Sequence, residues 1–82
     1  MSYSSVLIVD DNPSTRRFVS ASFQARGFDV IEADDSELAV KIVKQHQPDM
    51  VILDIMMPGI DGLDLCGRIR QWSEAPIAFL DC

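Results

Sequence analysis

Three aspartates carry the chemistry this sequence can do. Asp10 and Asp11 follow the apolar run Val6-Leu7-Ile8-Val9, and Asp54 stands alone after Met50-Val51-Ile52-Leu53. An apolar, β-branched run that stops in a carboxylate reads as a buried strand whose last side chain emerges at a sheet edge. If the two runs lie parallel, three carboxylates meet at one edge, and like charges so gathered stay ionised only when a cation compensates them. An oxygen-only donor set that leaves room for water suits magnesium. A carboxylate is also a nucleophile toward phosphorus, in a reaction whose catalysis is mostly neutralisation of charge on the transferring phosphoryl group. Asp54 is the better placed nucleophile because it stands alone before a Pro-Gly loop, whereas the adjacent Asp10 and Asp11 suit a ligand pair.

The elements that must position these residues alternate along the chain. Ser5 to Asp10 is a strand pattern, and Asn12 can cap a helix that accepts Pro13 in its first turn, carries Val19 and Phe23 on one face and stops at Gly27. Phe28 to Ala33 is a second strand pattern. Asp34-Asp35-Ser36 then offers caps for a helix with Leu38, Ala39, Ile42 and Val43 along one stripe, ended by Pro48. Met50 to Asp54 is a third strand, followed by the loop through Pro58 and Gly59. A helix begins near Asp61-Gly62, with Leu65 and Ile69 on its buried side, and Ile77 to Asp81 is a fourth strand. Strands that are apolar throughout, alternating with helices, predict an α/β fold with a parallel sheet between helical layers. In open sheets of this kind ligands bind beyond the carboxyl ends of the strands, where the strand order reverses.

Composition narrows the classes of function. Eighty-two residues with 48% apolar and 24% charged side chains fit one small globular domain over 1–82, and a chain this short buries only around 60% of its unfolded surface. Thirteen acidic against seven basic residues give a net charge of -6. The basic residues, from Arg16 and Arg17 to Arg68 and Arg70, are scattered, which argues against direct nucleic-acid binding. The apolar runs fall well short of the ~20 residues that span a bilayer, and Met1 to Asp10 lacks the basic start of a signal peptide, so no membrane association is expected and the location is read as cytoplasmic. Cys66 and Cys82 show no metal-ligand spacing; Cys66 is expected as a small core residue, and Trp72 and Phe79 as packing residues. Asp34, Asp35, Asp61 and Asp64 are expected as helix caps and first-turn charges, and His46 as an ordinary surface residue.

Val6-Leu7-Ile8-Val9-Asp10-Asp11 together with Asp54-Ile55-Met56-Met57-Pro58-Gly59-Ile60-Asp61-Gly62 resembles the receiver domain of two-component response regulators, over the whole chain. The resemblance implies a three-layer, flavodoxin-like parallel sheet in the sequence β1-α1-β2-α2-β3-α3-β4 with strand order 2-1-3-4. It implies that Asp54 is phosphorylated by a sensor histidine kinase or phosphotransfer protein, and that the domain then changes its contacts with an output domain or effector. It further implies that Asp11, Asp54 and the backbone carbonyl of Met56 bind Mg2+, with Asp10 acting mainly through water. On this reading the chain is a phosphoacceptor that assists its own phosphorylation rather than an enzyme.

Two departures from the family pattern qualify that expectation. The family's fourth strand ends in a Thr or Ser that contacts the phosphoryl group, and the aligned position here is Asp81, which adds negative charge and cannot donate while ionised. The family also continues into α4, β5 and α5, with a Lys after β5 that pairs with phosphoryl oxygens. The chain is expected to be truncated after β4, leaving Ile77 to Leu80 as an apolar edge that favours a homodimer or an exchange of elements between copies. The alternative function is accordingly a phosphorylation-impaired receiver that works as a dimerisation or kinase-binding module.

Overall fold

The computed structural model describes residues 4–58 and 61–80. The elements run β1 (Ser5–Val9), α1 (Pro13–Ala25), β2 (Asp29–Ala33), α2 (Ser36–His46), β3 (Met50–Asp54), α3 (Gly62–Arg70) and β4 (Ile77–Leu80). The four strands form one parallel sheet in the order β2-β1-β3-β4. This is the flavodoxin-like strand order that the resemblance implies, with the reversal of strand order falling between β1 and β3.

The central strands are apolar on both faces because both are covered. Leu7, Val9, Val51 and Leu53 pack with Ala39, Val40, Ile42 and Val43 of α2 and with Leu65 and Ile69 of α3. Their neighbours of opposite parity, Val6, Ile8 and Ile52, pack with Val19 and Phe23 of α1 on the other face. The alternation follows from the two-residue repeat of a strand. Val6, Leu7, Ile8 and Val9 are all inaccessible to solvent, and each such side chain contributes roughly 1.5–3 kcal/mol relative to exposure. On the α1 face the cluster has a thinner rim, where Val30, Met50 and Leu80 are only partly buried.

Local signals set the helix ends. Asn12 Oδ1 accepts the main-chain N–H groups of Ser14 and Thr15 at the start of α1, and Gly27 beyond its end takes a φ of +92°, open to glycine at no steric cost. Asp35 and Asp61 cap α2 and α3 through Leu38 N and Leu63 N, both as expected. Asp64 lies in the first turn of α3. At the opposite edge of the sheet Asp49 ties β1 to β3: Ser5 N donates to its Oδ2 at 2.8 Å, and Asp49 N donates to Ser5 Oγ at 3.2 Å.

Several side chains sit differently from their expected places. Leu38 is exposed while Val40 is buried, because the stripe of α2 that meets the sheet runs through Ala39, Val40, Ile42 and Val43. Trp72 is half exposed and lies under Lys44 Nζ, 4.3 Å from the ring centroid. Phe79 is also half exposed, since β4 pairs with β3 alone and no strand among the described residues covers its outer side. Cys66 is partly buried against the α2/α3 core. His46 is exposed, in the last turn of α2, as its sequence position implied.

Candidate functional site

Parallel pairing of β1 and β3 sets Val9 opposite Leu53. The next residues in each strand direction, Asp10 and Asp54, therefore come side by side at the carboxyl edge, with Asp11 one residue further on. Each of the three offers a carboxylate oxygen, and these oxygens lie within 4.8 Å of one another. Asp10 is fully buried, Asp54 is 7% exposed and Asp11 is open to solvent. A cleft of about 510 Å³ opens over them and is lined by Asp11, Asp54, Met56 and Pro58, among others.

Two matching turns hold the buried pair. Asp10 Oδ1 accepts the main-chain N–H of Asn12 at 2.9 Å, and Asp54 Oδ1 accepts that of Met56 at 2.9 Å. Each aspartate thus caps the turn that follows its own strand. The remaining oxygen of Asp10, Oδ2, is buried without a hydrogen-bond partner. Burial, with the adjacent Asp54 and Asp11 carboxylates adding to it, raises the Asp10 pKa above its ordinary value. Neither of the ion pairs among the described residues, Arg16–Glu32 and Arg68–Glu37, involves these carboxylates.

A buried carboxylate oxygen with no donor, beside a second buried carboxylate, is an arrangement that a bound cation would relieve. The donors are all oxygens and one side of the set faces an open cleft, which fits a hard divalent ion that keeps several waters. The residues present therefore fit magnesium.

The structure brings together Asp10, Asp11 and Asp54 as the sequence predicted, and places Met56, largely exposed, and Pro58 at the same cleft. Gly59 and Asp81 lie outside the described residues. One residue at the site was missed. Arg16, read from the sequence as one of several scattered charges, donates from Nη1 to the main-chain oxygen of Asp10 at 2.9 Å and from Nε to Glu32 Oε1 at 2.9 Å. Its place at the end of the first turn of α1 is visible in the sequence, but its partner Glu32 comes from β2 and only the fold brings the two together.

A family profile described as the response regulator receiver domain matches residues 6–81. The chain is 41% identical over 75 residues to the probable transcriptional regulator ycf27 of Porphyridium aerugineum, an alignment covering 92% of this chain and 31% of the relative. The chain therefore spans about a third of the length of that curated relative. Among solved structures, it resembles the receiver domain of the hybrid histidine kinase CckA, with a TM-score of 0.85 and 35% identity over 93% of this chain and 73% of that one. It also resembles a chain in the complex of histidine kinase ThkA with the response regulator TrrA, with a TM-score of 0.85 and 38% identity over 96% and 69% of the two chains.

Proposed function

The chain belongs to the response regulator receiver domain family of two-component systems, and from that premise we propose that it accepts a phosphoryl group on Asp54 from a histidine kinase or phosphotransfer protein. The observation that carries the proposal is the placement of Asp54 beside Asp10 and Asp11 at one cleft, with Oδ1 engaged by Met56 N. That bond fixes the carboxylate, and Oδ2, which accepts no hydrogen bond among the described residues, serves as nucleophile. It attacks the phosphorus of a phosphohistidine; the P–O bond forms as the P–N bond breaks, and the electron pair stays on the imidazole nitrogen.

Asp11, Asp54 and the backbone carbonyl of Met56 hold Mg2+ in this proposal, with Asp10 acting mainly through water. When bound, the ion supplies positive charge against the phosphoryl oxygens. Kinase contact is supported by likeness to a chain of the ThkA–TrrA complex, and an output domain or effector by the regulator class of the relatives. A cytoplasmic location is part of the proposal; no helix among the described residues is long and apolar enough to cross a membrane. So is the extent of the domain, 1–82, and so is a regulatory rather than an enzymatic role.

The test is incubation with Mg2+ and acetyl phosphate, followed by intact mass measurement. A phosphoryl adduct that Asp54→Asn abolishes is expected. The second reading is a dimerisation or kinase-binding module impaired in phosphorylation. Asp81, proposed as the altered switch position, favours it, because a carboxylate there adds negative charge and cannot donate a hydrogen bond while ionised. No adduct, with kinase binding retained, would select that reading.

A further inference from the structure

Asp11 is the exposed member of the carboxylate trio, and its side chain makes no hydrogen bond among the described residues. Its position is therefore set by the backbone alone. That backbone is held at the preceding peptide: Asp10 N donates to Ala33 O at 3.1 Å, extending the β1–β2 ladder by one rung, and Asp10 O accepts from Arg16 Nη1 at 2.9 Å. Because the peptide is planar, fixing the Asp10 carbonyl also fixes the Asp11 nitrogen and the direction in which the chain leaves for Asp11.

The Arg16 guanidinium is itself held. Nε donates to Glu32 Oε1 at 2.9 Å, and the Arg16 side chain is only 18% exposed. A planar fork with one prong on a β2 carboxylate and another on the Asp10 carbonyl just beyond β1 cannot swing without breaking both bonds. Arg17, next in sequence, is exposed and enters neither ion pair of the described residues. The contrast separates a placed arginine from a surface one.

We infer that Arg16, braced by Glu32, is a positioning residue that presets the Asp10–Asp11 turn for capture of a divalent cation. The inference rests on the proposed Mg2+ site and adds to it a residue that does not touch the ion. Groups that orient metal ligands typically change affinity by about 10- to 100-fold when removed.

Calorimetric titration of the chain with MgCl2 tests this. Arg16→Gln is expected to weaken Mg2+ binding about tenfold. Arg16→Lys should fail to restore it, because a single ammonium retains the charge without the two-pronged geometry. Glu32→Gln leaves the bond to Asp10 O and should weaken binding only a few-fold. Val19→Ala, which loosens α1 without touching the brace, should leave the affinity unchanged, separating positioning from general stability. At saturating Mg2+ the acetyl phosphate reaction of Arg16→Gln should return to the wild-type rate, since the defect lies in ion capture. Wild-type affinity in a folded Arg16→Gln chain, or restoration by Arg16→Lys, overturns the inference while leaving the site intact. If Arg16→Gln does not fold, unchanged affinity in Glu32→Gln overturns it. Failure of the wild-type chain to bind Mg2+ would instead bring down the site proposal and this inference with it.

Discussion

Asp10 and Asp54 lie side by side across two strands that are 44 residues apart in sequence at this level, both almost fully buried, and Asp10 keeps one oxygen without a partner. The cation-free chain thus carries a built-in electrostatic cost at its own sheet edge.

That cost has a sign in pH. Burial first, and then the neighbouring carboxylates, raise the native pKa of Asp10 above 3.8, so the folded chain binds this proton more tightly than the unfolded chain does. The contribution of Asp10 to stability is greatest below the ordinary carboxylate value and is lost as pH rises through the raised native value. Asp10→Asn, which cannot ionise, is expected to stabilise the chain without Mg2+ by about 1–2 kcal/mol near neutral pH. The advantage over wild type should shrink toward zero on the acid side. Urea melts across that range measure it, and a pH-independent difference would contradict the assignment.

Core and surface leucines should separate cleanly. Leu53 is fully buried between β3 and the α2/α3 layer and immediately precedes Asp54, whereas Leu63 is 78% exposed in the first turn of α3. Leu53→Ala is expected to cost about 2–5 kcal/mol. Leu63→Ala should stay within about 0.5 kcal/mol of wild type. Thermal melts followed by circular dichroism compare the two.

The outer side of β4 pairs with no strand among the described residues, and Met50 and Leu80 are only partly buried on the face that α1 leaves thinly covered. Self-association of two copies through this edge, as a homodimer or by exchange of elements, is the expected means of covering it. Sedimentation velocity from micromolar to millimolar concentration should show a rising dimer fraction that Ala78→Lys, a charge on the exposed edge, reduces. A single monomer boundary throughout that range would refute it.

Much of this arrangement is legible in the amino-acid sequence. Continuous apolar runs ending in aspartate mark β1 and β3, and Asn12, Asp35 and Asp61 mark helix starts because each has a short side chain that accepts from the first turn. The stripe of α2 differs from its sequence pattern at one member, Val40 in place of Leu38, since several apolar residues fit the same periodicity and only the angle at which the helix meets the sheet selects among them. Trp72 and Phe79 are expected as packing residues, and how far each is exposed depends on which neighbours the topology places beside it.

The amino-acid order alone determined that three carboxylates would stand at strand ends, since residue type and periodicity are local properties. Tertiary structure decided the rest. The register between β1 and β3 made Asp10 and Asp54 neighbours and left one oxygen of Asp10 without a donor, and the approach of β2 put Glu32 where it could hold Arg16 against the Asp10 carbonyl. Contacts between segments distant in sequence are chosen by packing and pairing, which no local pattern encodes.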